Sequence, residues 1–383
     1  MKIIVCGTGQ VGTSIAKQLA SENNEVTVID YNADKIRKIT DTLDVNAVIG
    51  YASHPPTLEQ AGGSYSDMII AVTASDEVNM VICQVAYSLF SIPIKIARVR
   101  NQLYLDDRWK DLYRQNHLPI DVIISPELEV AKAINHRLHV PGAVDTIPYD
   151  NNVKLIAVRC TKYSPVVNLF TFKIKQLAKQ INIAIIGIFR DQKFIFPDDK
   201  EPIIEGDEIF FFANESNVTE AMALFGHEEE EARKIIIVGG GNIGLYLAQL
   251  IEEEAHNVNV KIIEIDSHRA DQVAQLLNHS SIINGNALDE EILEESGVSY
   301  AETVIAVSND DEVNILSALL AKRFGTQRSI ALINNNTYAS LIASLGIDVV
   351  VNPREITVSS ILGQIRRGRI KSAHTICNGI IEI

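Results

Sequence analysis

Glycines at 7, 9 and 12, with an aspartate 18 residues after the last of them, have the types and spacing to hold a nucleotide. The first glycine permits a tight turn, the second lets backbone approach a pyrophosphate, and the third lets a helix pack closely on a strand. The following helix then presents free N–H groups and a partial positive charge to phosphate, through Gly7, Thr8, Gly9, Gln10, Val11 and Gly12. Asp30, closing the run VTVID, would accept hydrogen bonds from a ribose. Its charge repels a 2′-phosphate and so disfavours NADP, but it treats NAD, ADP and ATP alike. The same set returns as Gly239, Gly240, Gly241, Asn242, Ile243 and Gly244, with Glu264 placed 20 residues beyond the last glycine.

Other candidates lie where strands end. Thr73 and Ala74, and in the second copy Ser308 and Asn309, follow an apolar run; ligands of parallel sheets sit beyond such carboxyl ends. Arg98, in KIARVR, could pair with phosphate oxygens, whereas SIALINN puts Leu332 at that position. The shared DEVN, beginning at Asp76 and Asp311, reads as a helix cap more readily than as a ligand contact. A lone GxGxxG is weak evidence. Here each motif follows an apolar strand pattern, enters a helical pattern and is followed by an acid. A nucleotide-free Rossmann domain stays open as an alternative, more so for the second copy.

The elements that must position these residues are repeated as well. VTVID matches VKIIE, VIGYAS matches IINGNA, AVTASDEVN matches AVSNDDEVN, and IDVIISPE matches IDVVVNPRE, all in the same order. That is an internal duplication. Apolar runs at 2–6, 26–30, 45–49, 68–72, 94–99 and 120–124 alternate with amphipathic stretches such as 11–21, 34–42 and 76–90. The pattern predicts an α/β chain: two tandem doubly wound parallel sheets with one small α+β lobe between them. We place the first Rossmann domain at 1–138, the small lobe at 139–226, an acidic linker at 227–233, the second Rossmann domain at 234–365, and the start of a second, truncated small lobe at 366–383. In the small lobe VKLIAVRC, INIAIIGIFRD, QKFIFP and GDEIFFFA read as strands, and TFKIKQLAKQ and ESNVTEAMALFG as helices.

A net charge of −15 argues against a nucleic-acid footprint and permits contact with a basic protein surface. The start runs straight into a strand without a leader pattern, and no apolar run reaches membrane-spanning length, so the expected location is cytosolic. Cys6, Cys83, Cys160 and Cys377 form no CxxC pair. Cys6, beside the glycine turn, reads as a buried filler rather than a redox sensor.

The paired KIIVCGTGQVG and KIIIVGGGNIG, the paired DEVN and IDV blocks, and the Gly-Asp turn in PIIEGDEIFFF resemble the TrkA family, the regulatory subunits of bacterial Trk potassium uptake, built of tandem RCK (KTN) domains. The resemblance covers essentially the whole chain. It implies a nucleotide switch that binds NAD(H) and adenine nucleotides, forms a homo-oligomeric cytosolic ring, and sits at the inner membrane face through a potassium channel of the TrkH or TrkG type. It carries nucleotide contacts to Gly7 through Gly12, Asp30, Thr73, Ala74 and Arg98, and to Gly239 through Gly244, Glu264, Ser308 and Asn309. Gly50, Tyr51 and Ala52, with Gly285 and Asn286, match the loop on the adenosine side. The family closes with a second small lobe, so the chain is expected to be a fragment or a naturally short version. Gln10 and Asn242 occupy a position where some relatives carry an arginine suited to ATP.

The rival reading is an NAD-dependent dehydrogenase, which needs an acid or base positioned against the nicotinamide. His54, His136, His139 and His227 show no spacing that pairs one with an orienting acid. The expected protein is therefore not an enzyme.

Overall fold

The computed structural model describes residues 1–383 except 115, 151, 192, 197, 199, 255–256, 336–337, 339–344, 367–374, 377–380 and 383. Its first part alternates β1 (Lys2–Cys6), α1 (Gln10–Ser21), β2 (Glu25–Asp30), α2 (Ala33–Thr40), β3 (Asn46–Ile49), α3 (Pro55–Gln60), β4 (Met68–Ala71), α4 (Asp76–Phe90), β5 (Ile94–Arg98), α5 (Gln102–Leu105), β6 (Val122–Ile124) and α6 (Pro126–Leu138). The strands form one parallel sheet in the order β3-β2-β1-β4-β5-β6. Successive residues of β1 enter opposite cores. Ile4 and Cys6 pack with Ile69 and Ile82, while Ile3 and Val5 pack with Ile15 and Leu19. A strand buried on both faces is a near-continuous apolar run, as KIIVC is. Cys6 is fully buried, which pushes its thiol well above the ordinary range.

The small lobe holds β7 (Ala143–Asp150), β8 (Val153–Arg159), α7 (Thr171–Gln180), β9 (Ala184–Arg190), β10 (Lys193–Ile195), β11 (Glu208–Asn214) and α8 (Val218–Leu224). Its sheet runs β10-β9-β11-β8-β7, with antiparallel neighbours. The sequence reading missed β7. That strand carries Pro148 and two register shifts against β8, and it lies at the sheet edge, where a strand tolerates proline.

The second part repeats the first: β12 (Lys234–Val238), α9 (Asn242–Glu254), β13 (Asn259–Glu264), α10 (Ser267–Leu276), β14 (Ser281–Asn284), α11 (Glu290–Ser296), β15 (Thr303–Ala306), α12 (Asp311–Arg323), β16 (Arg328–Leu332), β17 (Val349–Val351) and α13 (Pro353–Arg366). Its order, β14-β13-β12-β15-β16-β17, is that of the first sheet. The expected second small lobe falls largely outside the described residues, apart from β18 (Thr375–Ile376) and β19 (Ile381–Glu382), an antiparallel pair.

Two compact units result, Met1–Glu129 with Arg354–Ala373, and Val130–Pro353 with His374–Ile383. Within the first, Ile361 and Leu362 of α13 are buried in the core formed by Ile3, Val5 and Ile124. Within the second, Arg328 at the start of β16 donates to the carbonyls of Arg137 and Ala143, fastening the entry to the small lobe. Among the described residues no helix is long and apolar enough to cross a membrane.

Candidate functional site

In each parallel sheet the strand order reverses between the first strand and the fourth, β1 with β4 and β12 with β15. Crevices at such switch points take ligands. The turn after β1 enters at Gly7, with φ +101°, and Gly7 N–H donates to Ile29 O at 2.8 Å. A Cβ at Gly12 would land on the Gly7 carbonyl, and one at Gly244 on that of Gly239, so helix and turn touch through glycine alone. By contrast, a Cβ at Gly9 or Gly241 would have nothing within 4 Å. Open space therefore lies against the backbone that leads into α1 and α9.

The acids are tethered to these turns. Asp30 Oδ2 accepts from Thr8 N at 2.8 Å and from Thr8 Oγ1 at 2.9 Å, and Oδ1 accepts from Asn32 N at 2.9 Å. Glu264 Oε2 accepts from Gly240 N at 2.6 Å, and Oε1 from Asp266 N at 2.9 Å. Both carboxylates are thus brought to the glycine turns. Gln10, Val11, Asn242 and Ile243 open α1 and α9 beside them.

Thr73 and Ser308 are held at the opposite side of each crevice by an asparagine that sequence reasoning passed over. Asn79 Oδ1 accepts from Thr73 N at 2.8 Å and Thr73 Oγ1 at 2.7 Å, while its Nδ2 donates to Arg98 O at 2.9 Å. Asn314 Oδ1 accepts from Ser308 N at 2.8 Å, and its Nδ2 donates to Leu332 O at 2.9 Å. The repeated DEVN was the available signal. The cap itself lies one residue before the position expected. Ser75 and Asp310 accept from Val78 N and Val313 N, because Asp76 and Asp311 already stand in the first helical turn. Asp76 instead accepts from Arg100 N and Asn101 N, and Asp311 from Asn334 N and Asn335 N.

Arg98 ends β5 amid a charged group comprising Arg100, Asp76 and Glu127. Burial, then the charge of Arg100, lowers the Arg98 guanidinium, and burial raises the Glu127 carboxyl. Asp76 Oδ1, Arg98 Nε, Ser125 Oγ and Glu127 Oε2 are buried without a hydrogen-bond partner. Buried polar atoms are rarely left so, and four near the ends of β5 and β6 suit a polar ligand. Ser125 and Glu127 stood in the quoted IDVIISPE but were not singled out.

The remaining candidates are disposed unevenly. Ala74 lends its carbonyl to Arg100, and Asn309 is exposed. Tyr51 is exposed and stacks on Tyr31, with centroids 5.5 Å apart. Asn286 Oδ1 accepts from Leu288 N at 3.0 Å, within its own turn. Arg269, absent from the sequence reading, reaches across the second turn to the Gly240 carbonyl at 2.8 Å.

Residues 3–126 and 235–353 match the TrkA-N domain family, and residues 155–226 match the TrkA-C domain family. The Trk system potassium uptake protein TrkA of Azorhizobium caulinodans is 45% identical over 384 residues, spanning all of this chain and 84% of that protein. The protein of the same description from Halomonas elongata is 38% identical, spanning 83% of that protein. Among solved structures, the GsuK RCK domain superposes with a TM-score of 0.68 at 20% identity, covering 96% of this chain and 77% of that one. The GsuK channel bound to NAD superposes with a TM-score of 0.67 at 20% identity, covering 96% of this chain and 64% of that one. At that identity the likeness speaks to the fold.

Proposed function

The chain belongs to the TrkA family, and on that premise we propose that it is a nucleotide-binding regulatory subunit of a Trk-type potassium uptake channel, a switch and not an enzyme. The first crevice takes NAD(H), or ADP or ATP. N–H groups at Gly9, Gln10 and Val11 meet the phosphates, Asp30 the ribose, and Arg98 a phosphate further along, while Thr73 and Ala74 close the opposite wall. The second crevice repeats the arrangement through Gly241, Asn242, Ile243, Glu264, Ser308 and Asn309. Tyr51 and Asn286 stand on the adenosine side. The working assembly is a homo-oligomeric ring at the inner face of the membrane, held by a channel of the TrkH or TrkG type.

The observation that carries this reading is the buried Arg98 Nε among three other buried polar atoms without hydrogen bonds, at the strand ends of the sheet whose first glycine turn has open space beside it. Further support comes from a channel of this fold solved with NAD and, separately, with ADP. A switch requires only two conformations that differ in nucleotide affinity, and the coupling is typically about 1–3 kcal/mol.

The test is rubidium uptake in cells that lack their own regulatory subunit but keep the channel, supplied with this chain or with its Asp30→Ala/Arg98→Ala variant. We expect the intact chain to restore uptake and the variant, equally folded, to change its nucleotide dependence. Purified intact chain that binds neither NAD(H), ADP nor ATP would overturn the proposal.

A further inference from the structure

The two crevices differ at the end of the fifth strand and over the glycine turn. In the first, Arg98 ends β5 and Arg100 follows two residues later. In the second, Leu332 ends β16 and is 2% exposed. Over the turn of the second copy a cation comes from α10. Asp266 caps that helix by accepting from Arg269 N at 2.7 Å, which pins the backbone of Arg269. Its side chain then turns back over the glycine turn. Nε donates to Gly240 O at 2.8 Å, Nη2 to Asn242 Oδ1 at 3.3 Å, and Nη1 to Gln272 Oε1 at 3.4 Å. Gly240 is the residue whose amide is bound by Glu264, and Asn242 opens α9. The half-buried guanidinium therefore lies between the acid suited to a ribose and the helix start suited to a phosphate. The equivalent residue of the first copy, Lys35, does not cross its turn but stands 4.0 Å from Asp30 Oδ2.

We propose that Arg269 is the phosphate-recognition residue of the second crevice, pairing with the phosphate nearest the adenosine ribose. The inference rests on both crevices being nucleotide sites. That phosphate is common to AMP, ADP, ATP and NAD, so the second crevice binds the adenosine monophosphate moiety and gains little from whatever lies beyond it. Its contacts to Asn242 and Gln272 are long enough to be exchanged for charge-assisted bonds to phosphate, while the Gly240 carbonyl keeps the side chain in place.

The experiment is calorimetric titration of the full chain carrying Asp30→Ala/Arg98→Ala, which silences the first crevice, with AMP, ADP, NAD and NADP as separate ligands. We expect AMP, ADP and NAD to bind within about threefold of one another. Adding Arg269→Ala should weaken all three by roughly 10- to 100-fold. Arg269→Gln, which keeps a donor for Gly240 O without the charge, should weaken them as much; full rescue by Gln would make the residue a brace and overturn the proposal. Tighter binding of NADP than of NAD would place the guanidinium on the ribose and overturn it also. AMP binding far weaker than ADP, with no effect of Arg269→Ala on either, would do the same. If the silenced chain binds nothing while the intact chain binds, this inference falls together with the second crevice's share of the nucleotide reading, and the first crevice's share stands; if the intact chain binds nothing, the whole nucleotide reading falls. Circular dichroism melts of each variant separate these outcomes from unfolding.

Discussion

The two Rossmann copies share a scaffold and differ in chemistry. Strand order, the left-handed first glycine, the helix glycine against its carbonyl and the buried asparagine are the same in both. The acid, the residue tethered to it and the residue that ends the fifth strand all differ. What is repeated are contacts between backbone and backbone or backbone and asparagine, which any ligand of this crevice would need. What has diverged are the groups that would meet particular atoms of the ligand. Duplication has therefore preserved a holder and left its selectivity free to change.

The largest effect should come from the part that is shared. Asn79 and Asn314 are fully buried, and each joins the ends of two neighbouring strands. Replacing either by alanine leaves an amide and a carbonyl at least partly buried and without that partner. We expect each variant to lose about 2–4 kcal/mol in the unfolding of its own half of the chain. Hydrogen exchange resolved along the sequence would locate the loss. A large loss in one copy and none in the other would break the claim that the scaffold is common.

A smaller and opposite pair of effects should follow from exchanging the residues that end the fifth strands. Arg98→Leu removes a half-buried guanidinium whose buried Nε has no hydrogen bond, so it should leave stability unchanged or slightly raised. It should nevertheless weaken nucleotide binding in the first crevice by roughly 10- to 100-fold. Leu332→Arg forces a charge into a site that is 2% exposed, and should lower stability by about 2–3 kcal/mol. Thermal melts with titration of each variant check both. If Arg98→Leu were as destabilising as Leu332→Arg, Arg98 would be a structural residue and the contrast between the crevices would lose its meaning.

Much of this was legible in the sequence for a physical reason. Strand runs such as IIVC and IIIV are buried on both faces and so stay apolar throughout, and glycine spacing answers to backbone geometry alone. Side-chain partners brought together from distant segments were not legible. Asn79 meets Arg98 O only because β4 and β5 are neighbours, and Arg269 reaches Gly240 only because α10 begins over the turn. Strand β7 was hidden by its proline. The cap was misplaced by one residue because Asp76 and Ser75 are both acceptable caps, and only the tie from Asp76 to Arg100 N decides between them.

The smallest effect tests whether acid and turn changed together. Asp30 is short, and Thr8 brings both an amide and a hydroxyl to it. Glu264 is longer and takes from the turn only the amide of Gly240; a Cβ there would come within 3.1 Å of Glu264 Oε2 and 3.2 Å of its Cβ. Threonine thus suits aspartate, and glycine suits glutamate. Thr8→Gly should cost about 1 kcal/mol by losing the hydroxyl bond and gaining backbone freedom. Asp30→Glu should cost a similar amount by crowding Thr8. The double variant recreates the pair of the second copy, so its cost should fall short of the sum by about 0.5 kcal/mol or more. Denaturant titration of the four chains measures that coupling. Strict additivity would mean that the acid and the turn residue drifted independently, and the second turn would then be a looser relic of the first instead of a re-fitted version of it.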